Sequence, residues 1–381
     1  LRVGKYMVKI RNVTLANAEE AVMPLRGSEN SFTFVIRDDT DFVTTPIKAR
    51  LLRVLSKKPT LKSEYAMASN DETLDAAIDR IVDRAYQKWM RHALYMLGRH
   101  IDADKYDLNP QRRNELSVHL YDADELTNSV IKKAHSAQFV KADDPAPYLI
   151  SLDDMIPVSD ELGGEISFSR LFSLCGTDYF DYTARPGHPA IHRQLDKVKA
   201  DLNARFEQSG KSTPIVLLED NVRHARMLNW LENLMDGHGL FNHAHLAGIS
   251  TCFCSADDAE LSKIVHKGHL AVPVAVGVNY LGVNADVQTP RDLMFDGFVV
   301  KIDGQKGRLP GIFMDVASRF SVSEPRSEAF KEDIRCINRE FCADIRKNLG
   351  VNMPLSWFVG AKPVSHVTNT HVNTSMLKVM R

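Results

Sequence analysis

The chain has 381 residues, 44% of them apolar, which is enough to bury at least one full core, supports two or three structural units and excludes a disordered protein. Lysine and arginine total 48 against 49 acids, so the net charge of −1 gives no overall attraction to nucleic acid or membrane, and any polyanion contact has to be local. No run reaches the apolar length of a membrane span, and Leu1-Arg-Val-Gly-Lys-Tyr6 lacks the charged-then-apolar pattern of a secretion signal.

The first residue is not methionine, so the native start is expected upstream and a removed leader stays open. Cys175, Cys252, Cys254, Cys336 and Cys342 form an odd, sparse set that argues for reduced thiols and a cytoplasmic setting. Cys252 and Cys254, two apart in a strand-like run, are expected on one face. A zinc site there would need two more ligands, for which His243, His245, His266 and His269 are near in sequence; buried thiols on a strand are the simpler reading.

In chain order, residues 1–58 read mainly as strands, with Tyr6 to Ile10 and Ser31 to Ile36 carrying the β-rich alternation. Pro59 to Asn70 reads as a polar linker. From Glu72 to Leu97, the positions Leu74, Ile78, Ile81, Val82, Ala85, Trp89, Ala93, Leu94 and Leu97 recur at helical spacing and predict a long amphipathic helix stopping near Gly98. A second helical region is expected around Arg113 to Gln138, and Asp143-Asp-Pro-Ala-Pro147 punctuates a domain boundary.

Beyond it, Tyr148 to Leu152 and Met155 to Val158 read as strand, Gly163-Gly164 as a turn, and Phe168, Leu171 and Leu174 as a short helix. Asp178 to Thr183 reads as strand and His188 to Phe206 as helix. Ile215 to Leu218 is an all-apolar run ending in Glu219 and Asp220, and Met227, Leu228, Leu231, Leu234 and Met235 follow at helical spacing. Strands follow near Leu246 to Cys254, Leu270 to Val278, Gly297 to Ile302 and Gly311 to Val316. Ser327 to Leu349 is an amphipathic helix, and the tail after Lys362 is polar. Strands alternating with helices give an α/β fold, a mainly parallel sheet flanked by helices, with N-terminal β and helical additions. The expected division is a β-rich segment (1–65), a helical segment (66–145), an α/β domain (146–320) and a C-terminal helix and tail (321–381).

Ligand sites in open α/β sheets lie at the carboxyl ends of strands, which makes Glu219 and Asp220 the candidate catalytic residues. The block from about Tyr148 to Ser255, under a third of the chain, resembles the core of type I phosphoribosyltransferases, in which an apolar strand and two acids are followed by a loop opening a helix. The resemblance implies a transferase of the glycosyltransferase class that binds a phosphorylated ribose or nucleotide, with Glu219 and Asp220 on the ribose hydroxyls and Mg2+ assisting departure of pyrophosphate. It also implies a 5′-phosphate loop at Asn221, Val222, Arg223, His224, Ala225 and Arg226. The turn containing Gly163 and Gly164 resembles the pyrophosphate loop, and Tyr182 and Arg185, by their position in the sequence alone, are candidates to contact pyrophosphate or base. The 221–226 loop departs from the family in lacking glycine and threonine; Arg223 or Arg226 would have to grip phosphate instead. Asp160 and Glu161 beside the glycines would repel pyrophosphate without a divalent ion. In the competing structural reading, Asp220 or Asn221 caps the helix and the arginines are solvated.

Three other constellations point elsewhere. Ile215 to Leu231 resembles the first strand and helix of a response-regulator receiver, whose later phosphoacceptor would fall near Asp258. Asp296 to Lys301 and Lys301 to Gly304 resemble short motifs of nucleotidyl-transferring ligases, against the simpler reading of an edge strand and an Asp-Gly turn. A noncatalytic alternative is a degenerate nucleotide-binding or nucleic-acid-associated assembly protein, with Lys48, Arg50, Arg53, Lys57 and Lys58 as local phosphate contacts and a homo-oligomer as one outcome.

Overall fold

The computed structural model describes residues 32–57, 73–101, 116–172, 179–223, 225–256, 258–266, 270–279, 285–287, 289–294, 298–302, 305–309, 322–354 and 357–358, with strand pieces at 2–3, 6–7 and 13–16 and single positions at 311 and 320. The fold is α/β. Its centre is a five-stranded, all-parallel sheet made of β4 (Tyr148–Ser151), β5 (Gly163–Glu165), β8 (Thr213–Val222), β9 (Ala244–Cys254) and β10 (Val274–Asn279), in the order β10-β9-β8-β4-β5. The apolar run of β8 is buried on both faces, as a strand covered by helices on both sides must be. On one face lie α4 (Ile191–Ser209) and α5 (Ala225–Gly237), which bury Leu195, Val198, Leu202, Leu228, Leu231 and Met235 against Ile215 and Leu217. On the other lies α3 (Ala123–Ala134), whose Leu126, Val130 and Ala134 meet Val216 and Leu218.

A second parallel sheet is built from β1 (Val13–Ala16), β2 (Phe32–Arg37), β3 (Leu116–Tyr121) and β11 (Ala285–Val287), in the order β11-β2-β3-β1. Around it pack α1 (Thr40–Leu55), α2 (Leu74–His100) and α6 (Ser327–Leu349). One core therefore unites residues between Phe34 and Val118 with residues between Leu293 and Phe358. Inside it the buried Trp89 indole N–H donates to Asn338 Oδ1 at 2.7 Å and ties α2 to α6. A third sheet, β13-β12-β6-β7, combines β6 (Phe168–Phe172), β7 (Tyr179–Ala184), β12 (Phe298–Ile302) and β13 (Gln305–Leu309). No helix among the described residues is long and apolar enough to cross a membrane.

Several expectations are corrected. Residues 40–55 are helical, and 116–121 form a strand before α3, because Asp122 caps α3 through its carboxylate, accepting from the Asp124 and Glu125 amides at 2.9 and 2.8 Å. Gly163 and Gly164 lie in β5, and Phe168 to Phe172 is a strand whose Phe168 and Leu171 are buried. Cys252 and Cys254 pack into different cores, on opposite sides of the sheet. Of the zinc candidates, His245 sits at the opening of β9 and Cys252 seven residues further on, roughly 23 Å along an extended strand, which separates these two, while His269 lies outside the described residues. Lys301 belongs to an interior strand, since β12 pairs with both β13 and β6. His224, Asp257, Lys58, Asp303 and Gly304, most of 311–316 and the tail lie outside the described residues.

The glycines of β5 have a steric cause. A Cβ on Gly163 would stand 1.8 Å from the Leu149 carbonyl oxygen, and one on Gly164 2.8 Å from the Tyr148 hydroxyl. Gly163→Ala is therefore expected to destabilise the protein by about 2–4 kcal/mol with no ligand present, since backbone atoms must shift. Urea denaturation checks this, and an unchanged midpoint refutes it.

Candidate functional site

Numbered within the central sheet, the strands run 2-1-3-4-5, with β4 first and β8 third. The sheet reverses direction of growth between β4 and β8, and the crevice outside their carboxyl ends is the expected ligand position. Ser151 pairs with Leu218, so Asp153 and Asp154 leave β4 at the level at which Glu219 and Asp220 end the apolar part of β8. The strand itself continues to Asn221 and Val222, paired with Phe253 and Cys254. Four carboxylates thus converge at one edge.

Their electrostatics are uneven. Burial, followed by the neighbouring Asp220 and Asp153, holds the Glu219 carboxyl well above the usual range. Asp220 is also raised, by burial and by Asp153, with Arg37, Arg291 and Arg185 opposing. Asp154 ends up below the usual range: burial would raise it, but Arg185 Nη1 at 2.6 Å and the Ser167 hydroxyl at 2.8 Å outweigh that. Arg185 also reaches Asp153 at 3.7 Å, and these two acids raise its pKa against the effect of burial. His188 stands between Asp154 (3.9 Å) and Glu165 (3.6 Å).

The opposite flank comes from the second sheet. Arg37, at the end of β2, donates through Nη2 to Thr127 Oγ1 at 2.6 Å and to the Met155 carbonyl, joining the carboxyl edges of the two parallel sheets. Its buried Nε and Nη1 have no hydrogen-bond partner. Asp39 is buried and pushed up to about 6 by burial, against the opposing Arg291 and the Tyr86 hydroxyl that donates to it. The Cys252 thiol, 0% exposed, is pushed up to about 12 by burial and stays a neutral thiol.

The sequence-read residues fall into two groups. Glu219, Asp220 and Arg185 belong to the cluster, and the half-buried Asn221, whose Oδ1 has no partner, follows on β8. Val222 is buried in the core, Arg223 and Arg226 are exposed, and Ala225 opens α5, leaving only Arg223 and His224 between strand and helix. Gly163 and Gly164 lie inside β5, ahead of its carboxyl end. Tyr182 packs on Trp230 with the rings tilted by 30° and their centroids 4.4 Å apart. Asp153, Asp154, Glu165, His188, Arg37 and Arg291 were not singled out from the sequence. A signal for three of them was present: Phe32 to Asp39 and Tyr148 to Asp154 are apolar runs ending in charges, the same pattern as Ile215 to Asp220.

Carboxylate oxygens are hard donors of the kind that Mg2+ takes. Among the described residues, Asp154, Glu165 and His188 also bring one ligand atom each within 4.8 Å of one another. Comparison with protein families, with curated proteins and with solved structures gives no match.

Proposed function

We propose that the crevice between β4 and β8 binds a phosphorylated ribose or nucleotide together with Mg2+, and that it serves transfer at the anomeric carbon. The observation that carries this reading is the gathering of Asp153, Asp154, Glu219 and Asp220 at the switch point of the sheet, with Arg37 and Arg185 on its two flanks. Asp154, Glu165 and His188, whose ligand atoms lie within 4.8 Å of one another, would hold the ion, which when bound would neutralise charge on a departing pyrophosphate. Glu219 and Asp220 would accept from ribose hydroxyls, and the unused N–H groups of Arg37 would donate to phosphate. The remaining task of the protein is to hold the reacting groups in line and away from water.

One observation favours a second reading, nucleotide binding without transfer: only Arg223 and His224 separate β8 from α5, which leaves little backbone to wrap a 5′-phosphate. Calorimetric titration with phosphoribosyl pyrophosphate and with adenosine monophosphate, each with and without Mg2+, separates the two. Transfer predicts magnesium-dependent binding of the pyrophosphate, lost in Asp220→Asn, and release of pyrophosphate when a base is added. Equal binding of both ligands with no release supports the binding reading. No heat from either ligand refutes both.

A further inference from the structure

An open groove of about 480 Å³ lies between α2 and α6, away from the crevice. Arg80, Arg84, Lys88 and Arg91 recur every three or four residues along one face of α2, and Lys347 of α6 closes the opposite wall. Like charges at this spacing destabilise a helix, so the row is not explained by the folding of α2. The acids nearby are unevenly shared. Asp79 and Asp83 turn to Lys48 of α1, at 3.5 and 2.8 Å. In the groove, Asp344 lies 2.9 Å from Lys88, to which Glu340 adds a contact at 3.6 Å. Among the described residues that line this concavity there are five cations and one acid, Asp344, in a chain whose net charge is −1.

We propose that this groove binds the phosphodiester backbone of a nucleic acid. From Arg80 to Arg91 the row is about 16 Å long at ~1.5 Å of helix rise per residue. One nucleic-acid strand carries a charge about every 3.4 Å, or roughly five charges over that length, which matches a row of cations better than a single phosphate does. The basic positions that stand out in the sequence fit this role less well: Lys48 is spent on Asp79 and Asp83, and Arg50 donates to the Trp357 carbonyl at 2.7 Å. Because the contact is to backbone phosphate, recognition is independent of base sequence.

The test is fluorescence anisotropy of the full chain with a labelled single-stranded 15-mer and with its duplex, across a series of salt concentrations. At least one form should bind, with affinity falling steeply as salt rises. The triple variant Arg84→Gln, Arg91→Gln, Lys347→Gln alters exposed positions and should weaken binding at least tenfold, lowering the salt slope by about three. Replacement of both arginines by lysine should restore most of the affinity. Asp220→Asn should leave it unchanged, which separates this site from the crevice. The proposal is overturned if neither oligonucleotide binds, if the folded triple variant binds like the parent, or if tripolyphosphate or anionic vesicles bind this groove while oligonucleotides do not.

Discussion

Glu219→Gln raises the thermal midpoint of the ligand-free protein at pH 8, with an expected gain of about 1–3 kcal/mol, equivalent to several degrees in a chain of this size. Glu219 is buried, and its carboxyl is raised by that burial and by Asp220 and Asp153. An acid raised in the folded state contributes stability below its unfolded pKa and loses it as pH rises through the folded value. At pH 8, above the unfolded pKa, folding of the parent must either bury a charge at Glu219 or take up a proton there, and folding of the variant does neither. The advantage should shrink steadily on acidification, as the parent carboxyl takes up a proton. His92, His100 and His119, whose pKa values are lowered by burial, titrate alike in both proteins and cancel in the difference. Scanning calorimetry at several pH values checks this, and a pH-independent difference between the two proteins would falsify the account of the cluster.

Arg185→Met acts in the opposite direction. The Arg185 guanidinium pairs with Asp154 at 2.6 Å and Asp153 at 3.7 Å, so its removal leaves two carboxylates without their main counter-charge. The expected loss is about 3–5 kcal/mol, the range found when one partner of a buried pair is deleted. Asp154, held below its ordinary value of 3.8, contributes stability above that pH and loses it as pH falls through the depressed pKa. The loss in the variant should therefore be large at pH 7 and small in strong acid. A second change, Asp154→Asn, should recover part of it, because the stranded charge is then gone. Urea denaturation of the single and double variants reads both effects. If the double variant is less stable than Arg185→Met, the pairing described here is not what Arg185 supplies.

Part of the site was legible because one rule covers it. An apolar run that ends in acids marks a buried parallel strand delivering charge to the rim of a sheet, and Ile215 to Asp220 follows that rule in full. Asp153 and Asp154 follow it too, after only a short run from Tyr148, with the next apolar stretch masking the strand end. Arg37 was hidden differently: its role depends on where β2 ends relative to Thr127 and Met155, which lie 90 and 118 residues away. Gly163 and Gly164 show the converse error. A pair of glycines reads as a turn, whereas here the two strands approach so closely that the Leu149 carbonyl excludes a side chain.

Local pattern determined the α/β class, the long helices at Leu74–His100 and Ser327–Leu349, and the acid-tipped strand, since hydrophobic period and strand-end chemistry are written within a few residues of each other. Only the tertiary structure decided that β4 and β8 are neighbours, that β11 joins β2 across some 250 residues, and that cations from α2 and α6 share one groove. Those pairings depend on which buried faces complete one another's cores, a property of the whole chain that no local window contains.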